Sequence, residues 1–364
     1  YKFCVTVIIT MGTFQTIGGK RKGKSIRSFF SLLLLVIISA MLITGCGGKE
    51  KTVTVYTSVD RNFSELVFKD FEAKTGIKVL AGYDTEASKT TGMVNKLVEE
   101  AKNPRADVFW NGEFSQTIML KEKDVLTPYK SKSADSIPDK YKDREGYWTA
   151  FGGRARCILV NTDLLKAEDF PSSYSDFLNE KYPADKIAMA YPLFGTTATH
   201  AAALYAFWGD KKAEDFFRKL YERGIRIVDG NGVVRDLVVD GQMIFGITDT
   251  DDALGAVEKG AKVSIIFPDQ GEGQDGTLIV PNTVAMVKKR QQNDNAKVFI
   301  DYLLSEETEK YLVEIGWIQA PVRDLAVKAA GVDLGGIKTL DVTLDKVYDK
   351  LEKSISALKE IYIR

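Results

Sequence analysis

Three acidic side chains stand together in the second half of the chain, directly after a run of apolar residues. Asp249, Asp251 and Asp252 follow the strand-like segment that ends at Ile247. Three carboxylates within four residues suit a hard cation or an ammonium group. Aspartates in the first turn of a helix are equally explained by the helix dipole. The sequence leaves both interpretations open.

A second group of polar residues stands where a helix is expected to begin. Gly195 is followed by Thr196, Thr197 and Thr199, and then by His200, the only histidine of the chain. Backbone N–H groups and hydroxyls at a helix N-terminus form an anion site, whereas a single threonine there only caps the helix. A lone histidine either packs in the core or binds a ligand, and it excludes a site that needs two imidazoles.

Two arginines flank one alanine in a segment expected to be extended. Arg154 and Arg156 are two residues apart, and residues at this spacing point to the same side of a strand. Together they could hold a carboxylate or a phosphate through paired hydrogen bonds. Surface ion pairing is the alternative interpretation.

Hard oxygen donors follow the first strand-like segment and recur further along the chain. The remaining candidate ligand-binding residues are Tyr56, Ser58, Asp60, Glu113 and Arg235. A phenol and carboxylates suit a trivalent metal ion, although Tyr56 could equally be a packing aromatic. The predicted metal ligands are Tyr56, Glu113, Asp249 and Asp251.

The elements that must position these residues alternate between strand-like and helix-like segments from Lys51 onward, which is typical of parallel α/β sheets. Strands are predicted over 53–56, 77–80, 106–110, 157–160, 187–190, 225–228, 243–247, 263–267, 277–280 and 284–287. Helices are predicted around 63–71, 93–101, 213–221, 296–304 and 306–315, with a long amphipathic helix between Leu340 and Ile361.

The first 45 residues differ from the rest of the chain in charge. They hold six basic and no acidic side chains, so residues 46–364 carry 44 basic and 50 acidic ones. A mildly acidic body lacks the clustered positive face that nucleic acid requires, and we expect no nucleic-acid partner. Hydrophobic residues make up 45% and charged residues 27% of the chain, as in globular proteins.

The same N-terminal stretch is typical of an export signal. A run of fifteen residues from Phe29 to Ile43 is apolar except for two serines, and it is shorter than the roughly 20 residues that span a bilayer. Ile43-Thr44-Gly45-Cys46 resembles the bacterial lipobox. We expect a lipoprotein signal over 1–45, with Met11 as a plausible true start, lipidation at Cys46 and a tether over 46–51. Cys157 is then the one remaining cysteine, expected to be buried and inert.

Several segments in order resemble one family, the periplasmic-type solute-binding proteins of ABC importers that include ferric-iron-binding proteins. The resemblance covers nearly all of residues 52–323. The segments are Val53-Thr54-Val55-Tyr56-Thr57-Ser58, residues 71–79, Ala106 to Trp110 with Glu113, Gly153 to Arg156 leading to Asn161-Thr162, and Pro192 with Gly195 to Thr197.

The resemblance implies a type II periplasmic-binding-protein fold of class α/β. It has two lobes, each a mainly parallel sheet with helices on both faces, and a ligand cleft between them. The lobes are predicted as 52–150 with 281–325, and 151–280 with 326–364, and hinges are expected near 149–153 and 278–281. Partners would be a permease and an ATPase, with no cofactor, and the monomeric protein would lie in the periplasm or at the cell surface.

The ligand expected first is ferric iron with a synergistic anion. Ferric-binding members often carry adjacent tyrosines where this chain has Thr248 to Asp252, so a phosphate- or carboxylate-bearing organic solute is the alternative. Asp249-Thr250-Asp251 is a D-x-D motif, which leaves metal-dependent phosphoryl transfer as a remote alternative, but no second catalytic motif accompanies it. A purely structural surface lipoprotein would not need paired α/β lobes.

Overall fold

The structure is a computed structural model, and it describes residues 51–83 and 91–363. The strands are β1 Thr52–Thr57, β2 Lys78–Tyr83, β3 Val108–Asn111, β4 Leu126–Thr127, β5 Trp148–Asn161, β6 Ile187–Ala190, β7 Arg226–Val228, β8 Phe245–Asp249, β9 Val263–Ile266, β10 Ile279–Val287, β11 Lys328–Ala329 and β12 Val332–Asp333. The α-helices are α1 Arg61–Thr75, α2 Thr91–Glu99, α3 Ser115–Glu122, α4 Gly195–Trp208, α5 Asp210–Arg223, α6 Asn231–Val239, α7 Thr250–Glu258, α8 Asp294–Leu303, α9 Glu306–Glu314 and α10 Leu344–Tyr362.

The alternation of strands and helices along the chain produces one mixed sheet. Its strand order is β2-β1-β3-β10-β5-β8-β6-β7, with β4 beside β10 and β9 beside β5. Strands pair in parallel at both ends of this order, β1 with β2 and β3, and β6 with β7 and β8. The long strands β5 and β10 pair antiparallel with each other in the middle. The α/β class is therefore confirmed.

Strand β5 runs from one half of the sheet into the other. Its residues 148–155 pair with β10, and its residues 156–161 pair with β8 and β9. The apolar pattern predicted only 157–160, because Gly152, Gly153 and two arginines interrupt it. The predicted strands 277–280 and 284–287 likewise belong to one strand, β10, which begins at Ile279. Its pairing register shifts between Pro281 and Asn282, an irregularity of the kind at which a strand tolerates proline.

Two halves of the sheet have separate hydrophobic cores. The first core surrounds β1, β3 and β10, where Val55, Phe109 and Val284 are buried. In the second half, Ile158 and Val160 face the core beneath α4 and α5, whereas Cys157 and Leu159 face α6. This alternation along β5 covers both faces of the second half with helices.

The last helix contacts both cores. Val347 in α10 packs in the first core, whereas Leu358 and Ile361 pack in the second. The helix begins at Leu344, four residues later than the spacing predicted, and Leu340 packs in the first core outside the helix. The lobe boundaries given above stay a prediction.

No helix within 51–83 and 91–363 is both long enough and apolar enough to cross a membrane. The predicted signal segment, Cys46 and most of the tether lie outside the described residues.

Candidate functional site

A buried network connects strand β5 to the first residues of three helices. Asp249 ends β8 and precedes α7, and its Oδ1 accepts a hydrogen bond from Arg156 Nη1 at 2.7 Å. Its Oδ2 accepts from Asn231 Nδ2 at 2.9 Å and, through a short bond, from the Thr196 hydroxyl. The residues Arg156 and Asp249 are 0% and 4% exposed, so this is a buried ion pair.

Asn231 is the residue that joins the network together. As the first residue of α6, it donates from Nδ2 to Thr196 Oγ1 at 2.7 Å. Its Oδ1 accepts from Arg156 Nη1 at 3.1 Å and from the Thr197 hydroxyl at 3.2 Å. We call Arg156, Thr196, Asn231 and Asp249 the Asp249 network.

The positions of these residues follow from the topology. Helices α4, α6 and α7 each begin shortly after β6, β7 and β8, which are parallel neighbours. The carboxyl ends of parallel strands share one edge of a sheet, where α/β proteins bind ligands. Sequence reasoning missed Asn231, although it stands after β7 as Thr196 stands after β6.

Asp252 lies beside the Asp249 network and is paired with the predicted residue Arg235. Its Oδ1 accepts from Arg235 Nη1 at 2.8 Å, and its Oδ2 accepts from Thr248 Oγ1 at 3.4 Å. Burial, together with the charge of Asp251, raises the pKa of Asp252 to about 6 in spite of Arg235. This carboxyl group therefore gains a proton more readily than an ordinary aspartate.

Asp251 and Arg154 carry opposite charges close to each other. Asp251 is an exposed residue, but desolvation by its neighbours and the charge of Asp249 raise the pKa of its carboxyl group, while the charge of Arg154 opposes that shift. Arg154 is half-buried on β5, and its side chain makes no hydrogen bond or ion pair with any residue that the structure describes. The two predicted arginines thus differ, because Arg156 is already bound to Asp249.

The three aspartates form a group that could hold a cation. One carboxylate oxygen of each lies within 4.8 Å of the others. Two of the three have other partners, since Asp249 binds Arg156 and Asp252 binds Arg235. A cation at this place would have to compete with both arginines.

The two metal ligands predicted in the first half of the sheet, Tyr56 and Glu113, form hydrogen bonds with other groups of the protein. The Tyr56 hydroxyl donates to the Glu100 carboxylate at 3.1 and 3.2 Å, and its ring contacts Lys96 at 4.4 Å. Glu113 accepts from the backbone N–H groups of Ser115 and Gln116 at 2.7 and 2.9 Å, at the start of α3. Of the four predicted metal ligands, only Asp249 and Asp251 lie close together in the part of the chain that the structure describes.

Two other predicted residues, Ser58 and Asp60, lie in the segment between β1 and α1. Ser58 donates to Asn111 Oδ1 at 2.5 Å and accepts from the Gly112 N–H group at 3.0 Å. Asp60 directly precedes α1. Ser58 thus lies with the end of β3, apart from the Asp249 network.

The residues around Gly195 have different environments. Gly195 begins α4 with φ 54°, a conformation that favours glycine. The Thr199 hydroxyl donates back to the Gly195 carbonyl at 3.3 Å and is exposed. His200 is buried, and burial together with the charge of Arg156 holds its pKa well below the usual value. Its imidazole is a neutral buried group rather than a solvent-facing ligand.

Two further cavities, of about 870 and 710 Å³, include no residue of the Asp249 network. The first has Trp208 and Phe216 in its wall, and the second is lined mostly by lysines and aspartates. Their charged groups include internal pairs such as Lys142 with Asp139 at 3.0 Å. The edge of the sheet at Asp249 thus remains the candidate site.

Residues 103–335 match the family model of the bacterial extracellular solute-binding proteins. The chain belongs to that family, whose members bind solutes rather than catalyse reactions, and it is a solute-binding protein of the ABC-importer type with the type II fold.

The proteins to which this chain is similar are named for different ligands, or for none. The chain is 26% identical over 321 residues to the putative 2-aminoethylphosphonate-binding periplasmic protein of Salmonella typhimurium, covering 84% of this chain and 91% of that protein. It is 25% identical over 296 residues to a probable ABC transporter periplasmic-binding protein of Sinorhizobium fredii, covering 78% and 80%. The solved ferric binding protein from Campylobacter jejuni aligns with TM-score 0.72 and 25% identity, covering 85% and 99%.

Proposed function

We propose that this solute-binding protein captures a small organic anion that also carries a cationic group. The observation that carries the proposal is Arg154, which has no hydrogen-bond or ion-pair partner among the described residues although it is half-buried beside Asp251. A half-buried guanidinium group without a partner is suited to bind a phosphonate, phosphate or carboxylate in two hydrogen bonds.

The neighbouring groups match the rest of such a ligand. The N-terminus of α4 offers backbone N–H groups to anionic oxygens. Asp251 offers a carboxylate to an ammonium group at the same edge of the sheet. The name of the Salmonella relative is consistent with this combination of a phosphonate and an amine.

Ferric iron with a synergistic anion is the second candidate, and the sequence had placed it first. The three close carboxylates of Asp249, Asp251 and Asp252 favour it, and the Campylobacter jejuni structure is of a ferric binding protein. We rank it second because Asp249 is bound on both oxygens. In addition, no tyrosine hydroxyl within 51–83 and 91–363 hydrogen-bonds to these three aspartates.

Calorimetric titration separates the two candidates. The apo protein is titrated with 2-aminoethylphosphonate, with a panel of sugar phosphates and carboxylates, and with ferric citrate. We expect heat from one organic anion, and a loss of roughly 10-fold or more in affinity for Arg154→Gln, because a charge-assisted hydrogen bond contributes about 1.5–3 kcal/mol. Asp251→Asn should weaken an aminated ligand more than its analogue without the amine.

A matched control for these variants is Arg218→Gln on α5, which removes an exposed arginine paired only with Glu214. It should leave the affinity unchanged. Heat with ferric citrate alone, abolished by Asp251→Asn and unaffected by Arg154→Gln, would reverse the order of the candidates.

The ABC-importer type implies a permease and an ATPase as partners of the loaded protein. We propose that the protein acts as a monomer and that its lobes close on the ligand about the predicted hinges in β5 and β10, where the two strands pair with each other. Small-angle scattering should show a smaller radius of gyration when the ligand identified by calorimetry is saturating.

We further propose that Cys46 is lipidated and anchors the exported chain to a membrane, which the lipobox-like sequence supports. Cys46→Ser should give an unprocessed or freely released protein. Membrane fractionation and mobility identical to those of the unmodified sequence would contradict the anchor.

A further inference from the structure

A group of buried polar atoms lies next to the Asp249 network. Arg156 uses only Nη1 for Asp249, Asn231 and Thr196. Its Nε and Nη2 have no hydrogen-bond partner among the residues that the structure describes, and neither do the Tyr174 hydroxyl and His200 Nε2. A buried polar atom without a hydrogen bond is costly, so each of these four atoms needs a partner that the described residues do not supply.

The three side chains lie close together in the second half of the sheet. The rings of Tyr174 and His200 have centroids 4.5 Å apart, and these residues are 2% and 4% exposed. Burial raises the pKa of Tyr174 and lowers that of His200, and the charge of Arg156 acts on both groups. Arg156 Nη1 lies 3.4 Å from Thr196 Oγ1, and His200 follows Thr196 by one turn on the same face of α4. The guanidinium group is therefore near His200 and near the Tyr174 ring that contacts it.

Leu278 shows where the Tyr174 hydroxyl lies relative to Arg156. The Leu278 carbonyl accepts a hydrogen bond from the Arg156 backbone N–H at 2.9 Å. Its own amide is near enough to the phenol oxygen to affect the pKa of Tyr174, although the two atoms do not have the geometry of a hydrogen bond. Tyr174 Oη thus lies beside the residue that pairs with Arg156.

The directions of the hydrogen bonds define the missing partner. In a guanidinium group, the N–H bonds of Nε and Nη2 are parallel and point to the same side. A neutral imidazole can accept at Nε2, and a phenol oxygen can also accept. We propose that Arg156, Tyr174 and His200 enclose a binding site for one buried water molecule, which accepts two hydrogen bonds from Arg156 and donates one to each ring partner.

Charge selects water over a small anion at this site. The charge of Arg156 is already balanced by Asp249, and Asp251 and Asp252 lie nearby. An anion would add a negative charge beside the carboxylates of Asp249, Asp251 and Asp252, whereas water is neutral and satisfies four groups at once. The site is independent of the ligand proposed above, because it involves none of the groups assigned to that ligand.

A crystal structure of the protein at a resolution that shows ordered water tests the site directly. We expect one density peak within hydrogen-bond distance of Arg156 Nε and Nη2 and of at least one ring partner. A bromide soak should leave that peak without anomalous signal. Absence of the peak, or its replacement by bromide, would overturn the proposal.

Nitrogen NMR gives a second test, because the chain has a single histidine. We expect the neutral His200 tautomer with the proton on Nδ1, so that Nε2 accepts from water. Tyr174→Phe should change the Nε2 shift. The control is Tyr205→Phe, whose hydroxyl is also buried without a partner among the described residues but whose ring makes no such contact with His200.

The two variants give a clear contrast. A Tyr174→Phe spectrum identical to that of the unmodified protein, or an equal change in both variants, would contradict the water site. If Tyr174→Phe fails to fold, the tautomer of the unmodified protein and the density peak decide the question.

Discussion

At the scale of single residues, removal of one partner from the buried ion pair of Arg156 and Asp249 should lower stability more than other single changes at the site. Arg156→Gln leaves the carboxylate of Asp249 buried without its cation. Breaking a buried pair from one side costs about 3–5 kcal/mol, and we expect a loss of that size in the free energy of unfolding by urea.

The control for this prediction is Arg218→Gln in the exposed pair with Glu214, whose side chains are 38% and 40% exposed. Exposed pairs on one helix contribute about 0.3–0.5 kcal/mol. Equal losses for the two variants would show that burial does not determine the energy of the Arg156 pair.

Asp252 should make stability depend on pH. Its pKa rises from 3.8 to about 6 on folding, because of burial and the charge of Asp251. Between these values the folded state holds more protons than the unfolded state, so this group lowers stability as pH rises from about 4 to 6. In Asp252→Asn that contribution is removed.

The measurement for Asp252 is urea denaturation of both proteins across that range of pH. The stability of Asp252→Asn relative to the unmodified protein should increase as pH rises from about 4 to 6 and then stay constant. A difference in stability between the two proteins that does not change with pH would contradict this prediction.

Residue types alone identified much of the Asp249 network, but not its pairing. Arg156, Thr196 and Asp249 were candidates because each belongs to or follows a strand. Arg156 and Asp249 are 93 positions apart, so only the register of β5 with β8 shows that they neutralise each other. Tyr56 and Glu113 were predicted as metal ligands because nothing local reveals that Glu100 and the start of α3 bind them.

At the scale of elements, the close approach of β5 and β10 depends on Gly153. A Cβ atom there would lie 2.1 Å from the Val280 carbonyl oxygen and 2.6 Å from Pro281 Cα. Both atoms belong to the backbone of the paired strand, so Gly153→Ala should lose about 1–3 kcal/mol in the free energy of unfolding, as overpacked sites do.

Gly255 in α7 provides the matched control, since a Cβ atom there meets nothing within 4 Å. Alanine at a helix interior is favoured over glycine by about 0.5–1 kcal/mol. Urea denaturation should therefore give opposite signs for Gly153→Ala and Gly255→Ala. A stabilised Gly153→Ala protein would contradict the packing of the two strands.

Most elements were predictable from periodicity, and the two long strands were not. Helix α1 contains the predicted segment 63–71 and ends at Thr75, where Gly76 caps it with φ 67°. Strand β5 was seen only in part because its first residues, 148–156, include two glycines and two arginines and lack a continuous apolar run. Its length follows from pairing with β10, which is a tertiary interaction.

At the scale of the whole molecule, the chain is a solute-binding protein whose sheet has two halves joined through β5. The family establishes that role, whereas the ligand follows from which charges are free at the edge of the sheet. Arg154, which has no hydrogen-bond or ion-pair partner among the described residues, and Asp251 beside it favour an organic solute with both an anionic and a cationic group over a bare metal ion.

Native mass spectrometry of the protein, purified without denaturation from cells that export it, tests this claim most directly. We expect one small organic solute that contains a phosphonate, phosphate or carboxylate group, retained under native conditions and released on unfolding. The retained mass of one iron atom, with or without a small inorganic anion, would contradict the account.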